Sequence, residues 1–224
     1  MNLDDQLTIK GHFKLIAIDK DGVETVYEDC NLIMDKARSN MAELVSGWNN
    51  GIPVTKLIMG TKGHNPDTNN ILEPIQVGSY GFTPSRTTLF SVEDSSYFYT
   101  LTWDPKNPVG PDLVTNADGT GGTVSWSPTG RLDAYAIGNK QLQTGIEQGA
   151  ENAPCPITIE VLDRTVKYTF TIPEIAANGP TGDGVVAFTE ASLVSGDDIF
   201  SMKTFSARVK ENTVKYIIVW SILL

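Results

Sequence analysis

The chain has 224 residues, 40% of them apolar and 20% charged, with a formal net charge of −10. That length can bury a sizeable core, in one large all-β domain or two smaller ones, and the apolar fraction excludes disorder for the bulk of the chain. The excess of acid excludes a surface built to neutralise phosphates, so tight nucleic-acid binding is not expected, although an acidic wall along which DNA slides without adhering is compatible with it.

Taken in chain order, Met1, Asn2, Leu3, Asp4 and Asp5 show neither the basic segment nor the apolar run of a secretion signal, and no stretch of about 18 apolar residues follows anywhere. Synthesis in a cytoplasm without membrane insertion is therefore expected. Leu7, Ile9, Phe13, Leu15 and Ala17 alternate with Thr8, Lys10, His12 and Lys14, the period of a half-buried strand. Asp19-Lys20-Asp21-Gly22 then supplies turn chemistry, and residues 23–29 read as the second arm of a hairpin. From Ile33 the period changes. Ile33, Ala37, Met41, Leu44, Val45 and Trp48 recur at helical spacing, so one helix is predicted near residues 33–47, with Asn31 as N-cap and Gly47 as stop.

Residues 54–60 read as a core strand, followed by a polar loop rich in Gly, Asn, Asp and Pro. Segments 87–92 and 97–103 suit a second hairpin. Between 104 and 130 Pro and Gly crowd a stretch of little periodicity, with a short strand at 123–126; a long excursion of this kind is usual where loops contact a partner. Strand character resumes at 131–137 and 157–162. Val166, Tyr168, Phe170 and Ile172 alternate strictly with Lys167, Thr169 and Thr171, and further strands are predicted at 185–193, 199–209 and 214–223. The fold class expected is mainly β: a β-sandwich or partly open barrel of short antiparallel strands with one α-helix. Residues 1–224 form one domain in this reading, with loop excursions at about 61–86, 104–130 and 138–156.

Residues with catalytic potential are few. The two histidines are His12, at an outward strand position, and His64, in a polar loop without a nucleophile or metal-site motif around it. Cys30 and Cys155 lack ligand-like spacing and read as free, partly buried thiols, Cys155 having no basic neighbour to lower its pKa. Asp19-Lys20-Asp21-Gly22 and Asn116-Ala117-Asp118-Gly119 read as turns rather than calcium loops, because the later acidic ligand is absent, and Asp197-Asp198 after Gly196 reads as a solvated turn. Gly119-Thr120-Gly121-Gly122 has no strand and helix in the places a phosphate cradle needs. No enzyme activity, metal or cofactor is expected.

Several blocks resemble a family of tailed-bacteriophage structural proteins of the tail fibre, baseplate or neck. They are residues 13–30 with Asn31-Leu32-Ile33-Met34-Asp35-Lys36-Ala37-Arg38; Val54-Thr55-Lys56-Leu57-Ile58-Met59-Gly60-Thr61; and a closing block. That block comprises Val166-Lys167-Tyr168-Thr169-Phe170-Thr171-Ile172-Pro173, Asn178-Gly179, Phe188-Thr189-Glu190-Ala191-Ser192-Leu193, Met202-Lys203-Thr204-Phe205 and residues 214–220. Ser192 stands where the family usually has Gly. The resemblance covers about two thirds of the chain, omits much of 78–149, and implies a non-enzymatic virion part acting as a homo-oligomer, a trimer or hexamer, beside other phage structural proteins.

The last strand focuses that expectation. Tyr216, Ile218, Trp220 and Ile222 fall on one face and Ile217, Val219 and Leu223 on the other, so this strand is expected to pack one face inside its own subunit and the other against a neighbour, and all seven residues are candidates for the subunit interface. The alternative is a receptor- or carbohydrate-binding module, in which Trp103, Trp126 and Tyr135 contact a host surface glycan. A capsid decoration protein is a further alternative on the same fold.

Overall fold

The structure, a computed structural model, describes residues 9–47, 51–74, 81–94, 96–103, 157–179 and 184–224, together with the backbone of four short strands at 114–115, 122–126, 135–137 and 141–143. The chain is mainly β. Among the described residues the strands are β1 (Lys10–Ile18), β2 (Glu24–Ile33), β3 (Val54–Gly60), β4 (Phe98–Thr102), β5 (Val114–Thr115), β6 (Gly122–Trp126), β7 (Tyr135–Ile137), β8 (Gln141–Gln143), β9 (Ile157–Leu162), β10 (Thr165–Ile172), β11 (Val186–Ser195), β12 (Asp198–Lys210) and β13 (Lys215–Leu223). Two helices, α1 (Asp35–Ser46) and α2 (Phe90–Glu93), accompany them.

The strands pair antiparallel in the order β5-β6-β9-β10-β13-β1-β2-β12-β11-β3-β4-β7-β8. Only Leu32 and Ile33 of β2 reach across to Met202 and Ser201 of β12, so the sheet turns a corner there and curls into a half-barrel. One wall is β5-β6-β9-β10-β13-β1-β2 and the other β12-β11-β3-β4-β7-β8. Strict alternation along β10 and β13 drives the closure: Tyr168, Phe170, Ile172, Tyr216, Ile218, Trp220 and Ile222 all turn inward and are buried. They meet Phe188, Leu193 and Phe205 of the opposite wall in one core cluster. Phe13 lies edge-on to Trp220 at 4.9 Å and stacks on Phe205 at 5.4 Å, the ring geometries that aromatic quadrupoles favour.

Part of the second wall is buried on both sides. Leu193 faces the main core while its neighbour Val194 joins Met34, Phe82, Leu89, Ile199 and Met202 in a second cluster. Segment 81–94 therefore covers part of the outer face of that wall. α1 packs against β12 and sends Ala37 and Met41 to the main core.

Two sequence expectations are corrected. Asn31 is not an N-cap: it lies in β2 opposite Gly11, and α1 starts after Met34, which makes no side-chain cap bond. The reason is the corner pairing of Leu32 and Ile33, extended by the Met34 N–H to the Phe200 carbonyl at 3.0 Å, which holds the chain extended past the point where the helical period begins. The proposed 87–92 arm is not a strand either. Two of its N–H groups, those of Phe90 and Ser91, are taken by a buried carboxylate, described below, and β4 pairs with β3 instead. Gly47 does end α1, in the left-handed conformation at φ 72°. The 19–22 turn forms as expected, with Asp19 Oδ1 accepting the N–H groups of Asp21 and Val23 at 2.9 Å each.

Candidate functional site

β13 lies between β10 and β1 along its whole length, so its backbone edges are filled within the subunit. The expected interface residues therefore divide. Tyr216, Ile218, Trp220 and Ile222 are at most 2% exposed and belong to the interior; they are corrected from interface to core. Ile217, Val219 and Leu223 face the other way, Ile217 and Val219 half-buried and Leu223 exposed.

The register shows what surrounds them. Ile217 stands opposite Ile16, which stands opposite Val26, so one apolar row crosses β13, β1 and β2. Ile18 is the next outward residue of β1, beyond Ile16, and Val219 pairs with Lys14. Around this row run polar contacts typical of a solvated sheet face: the ion pairs Lys14 to Glu28 at 3.2 Å and Lys167 to Glu160 at 2.6 Å, with the His12 ring 3.1 Å from Glu28. No described segment forms a second core over this face as residues 81–94 do over the other wall. The contribution of Ile16, Ile18 and Val26 had a signal in the sequence: the polar positions Lys10, His12 and Lys14 of β1 give way to Ile16 and Ile18 on the same face.

The other sequence candidates are dispersed. Trp103 is 2% exposed and packs against Tyr168 and Phe170, with ring centroids 6.1 and 5.5 Å away; its reading as a receptor contact is corrected, because the inward faces of β10 and its neighbours enclose it. Trp126 ends β6, opposite Ile157, and Tyr135 begins β7, opposite Gln143; their side chains lie outside the described residues, as do Cys155 and residues 116–119. Cys30 is an exposed free thiol rather than a partly buried one. Asp197 pairs with Lys56 at 3.5 Å beside Gly196, whose φ is 62°, a solvated turn.

A second feature went unread in the sequence. On the outer face of β11 and β12, a groove of about 640 Å³ opens between loop 61–72 and α2, lined among others by Lys62, His64, Asn69, Asp94, Ala187 and Ala207. Its loop is tightly pinned. Glu190 of β11, fully buried, accepts the N–H groups of Phe90 (3.0 Å) and Ser91 (2.7 Å) and the Ser91 hydroxyl (2.6 Å). Ser91 Oγ in turn accepts the N–H groups of Thr61 and Lys62 at 2.7 and 3.1 Å. Burial pushes the Glu190 carboxyl above its usual range, against the pull of these same bonds. A Cβ at Gly63 would stand 2.2 Å from the Thr189 carbonyl oxygen, so the loop lies directly on β11. His64 Nε2 lies 3.0 Å from the Phe205 carbonyl oxygen, which can only accept, so Nε2 donates there, while Nδ1 stands 3.4 Å from Asn69 Oδ1. That ring is anchored rather than poised as a free base.

Among the described residues no group of three or more His, Cys, Asp or Glu side chains is arranged to hold a metal, and no helix is long and apolar enough to cross a membrane. No protein-family model, curated protein or solved structure matches the chain.

Proposed function

We propose that this chain is a non-enzymatic structural protein of a tailed bacteriophage, a tail, baseplate or neck component that assembles through the outer face of the β10-β13-β1-β2 wall and connects the tail to its fibres. The observation that carries the reading is the asymmetry of the two walls. Residues 81–94 form a second core on one wall, whereas the other presents the row Val26, Ile16 and Ile217 with Ile18, Val219 and Leu223 around it. Covering each large apolar side chain is worth up to roughly 1.5–3 kcal/mol. A few such residues per subunit, repeated around a symmetric ring, offset the entropy of association. The sequence blocks that resemble phage structural proteins include the strands that build this wall, β1, β10 and β13.

The test is the assembly state of the purified chain. Wild type is expected to sediment as a discrete oligomer, and Ile16→Lys combined with Ile217→Lys to sediment as a monomer with an unchanged circular dichroism spectrum. These positions point outward, so the charges are solvated in the monomer. A monomeric wild type, or a double variant that still assembles, contradicts the reading.

A further inference from the structure

We propose that the groove between loop 61–72 and α2 is a binding site for a neutral saccharide. Three observations converge on it. The first is its rigidity: the loop is tied from below by the Glu190–Ser91 bonds, by the Gly63 N–H to Thr189 Oγ1 (2.8 Å) and by Thr204 Oγ1 to the Leu72 carbonyl (2.6 Å). Asn65, itself buried, holds the loop tip by accepting the N–H groups of Asp67 and Thr68. A site whose walls are already ordered binds without meeting that entropy on association.

The second is the charge balance of the rim. Lys62 Nζ lies 3.2 Å from Asp94 Oδ2, and Arg86 pairs with Glu93. Each full charge in the groove's lining has its opposite beside it, so the lining offers no excess charge to draw a phosphate or a metal ion. A donor next to an acceptor is instead the complement of a hydroxyl group, which donates and accepts at once. Lys62 and Asp94 are about half exposed, with side chains at 48% and 61%, and Asn69, held at φ 57°, adds a carboxamide to the same rim.

The third is the lining. Ala187 and Ala207 leave space over β11 and β12, and Leu72 adds an apolar wall. Small apolar surface beneath alternating polar groups fits a pyranose ring, with C–H groups facing the alanines and hydroxyls bridging Lys62, Asp94 and Asn69. The cavity volume falls in the range of small-ligand sites. This site is on the opposite wall from the proposed assembly face and does not rest on that reading.

The experiment is a two-dimensional amide NMR titration of the full chain with methyl α-D-glucoside, methyl α-D-galactoside, N-acetyl-D-glucosamine and L-rhamnose, each to tens of millimolar, with inorganic phosphate in parallel. At least one sugar is expected to give saturable shifts at Lys62, His64, Asn69, Asp94, Ala187 and Ala207. Lys62→Met and Asp94→Asn, both at exposed positions, are expected to weaken that sugar about tenfold by removing a charged hydrogen-bond partner, with the remaining spectrum unchanged. Saturable shifts with phosphate alone, shifts elsewhere on the surface, no saturable shift with any sugar, or binding unaltered in both variants would overturn the proposal.

Discussion

At the scale of single residues, alternation in the last strand separates core from surface. Trp220 is fully buried, edge-on to Phe13 at 4.9 Å, and its face is shared by Tyr216, whose hydroxyl pKa is pushed well up by burial, an effect opposed by the charge of Arg208. Substitution there tests folding rather than association. Trp220→Ala is expected to lower the unfolding free energy by about 3–5 kcal/mol, read by urea denaturation, because the cavity lies between two packed walls with little room to collapse. A loss under about 1 kcal/mol would contradict the inward placement. Reading this residue as an interface contact was an error of context. Its apolar character is plain in the sequence, but which of the two faces turns to the core depends on partners far along the chain.

At the scale of elements, the buried Glu190 couples β11 to two turns, one after β3 and one at α2. Its carboxyl is raised by burial, with hydrogen bonds from the Ser91 side chain and from the N–H groups of Ser91, Phe90 and Lys62 acting in the opposite direction. A folded-state pKa above the unfolded value means that the folded protein binds the proton more tightly. The stabilising contribution is complete below the ordinary glutamate pKa and is lost as pH rises through the raised folded value. Glu190→Gln, neutral at every pH and nearly isosteric, lacks this component. The difference in denaturation free energy between wild type and variant is therefore expected to change across that pH window, and parallel curves would show that the carboxyl does not titrate abnormally. The same residue explains the missed second hairpin. Residues 87–92 are apolar enough to read as a strand, yet two of their N–H groups go to a side chain about a hundred positions away, a contact that local periodicity does not contain. β10 and β13, by contrast, were legible because alternation, β-branching and flanking turns all agree. The onset of α1 was not, since the pairing of Leu32 and Ile33 across the sheet corner overrides the helical spacing that includes Ile33.

At the scale of the whole molecule, the curled half-barrel divides the surface into two kinds of wall. One carries a pinned loop and a polar groove; the other carries an apolar row in a field of ion pairs. Fold class was readable from the rhythm of strands and turns. The groove was not, because Lys62, Asn69, Asp94 and Ala187 come together only through loop closure over β11, and none of these residue types stands out alone. A net charge of −10 opposes non-specific adhesion between copies by mutual repulsion, so the proposed assembly rests on specific apolar packing. The measurement that tests this account most directly is immunogold electron microscopy on intact particles of a phage encoding the chain, with antibody raised against the purified protein. Gold at the tail, its tip or the neck is the expected result. Gold over the head, or particles that carry none, would contradict it.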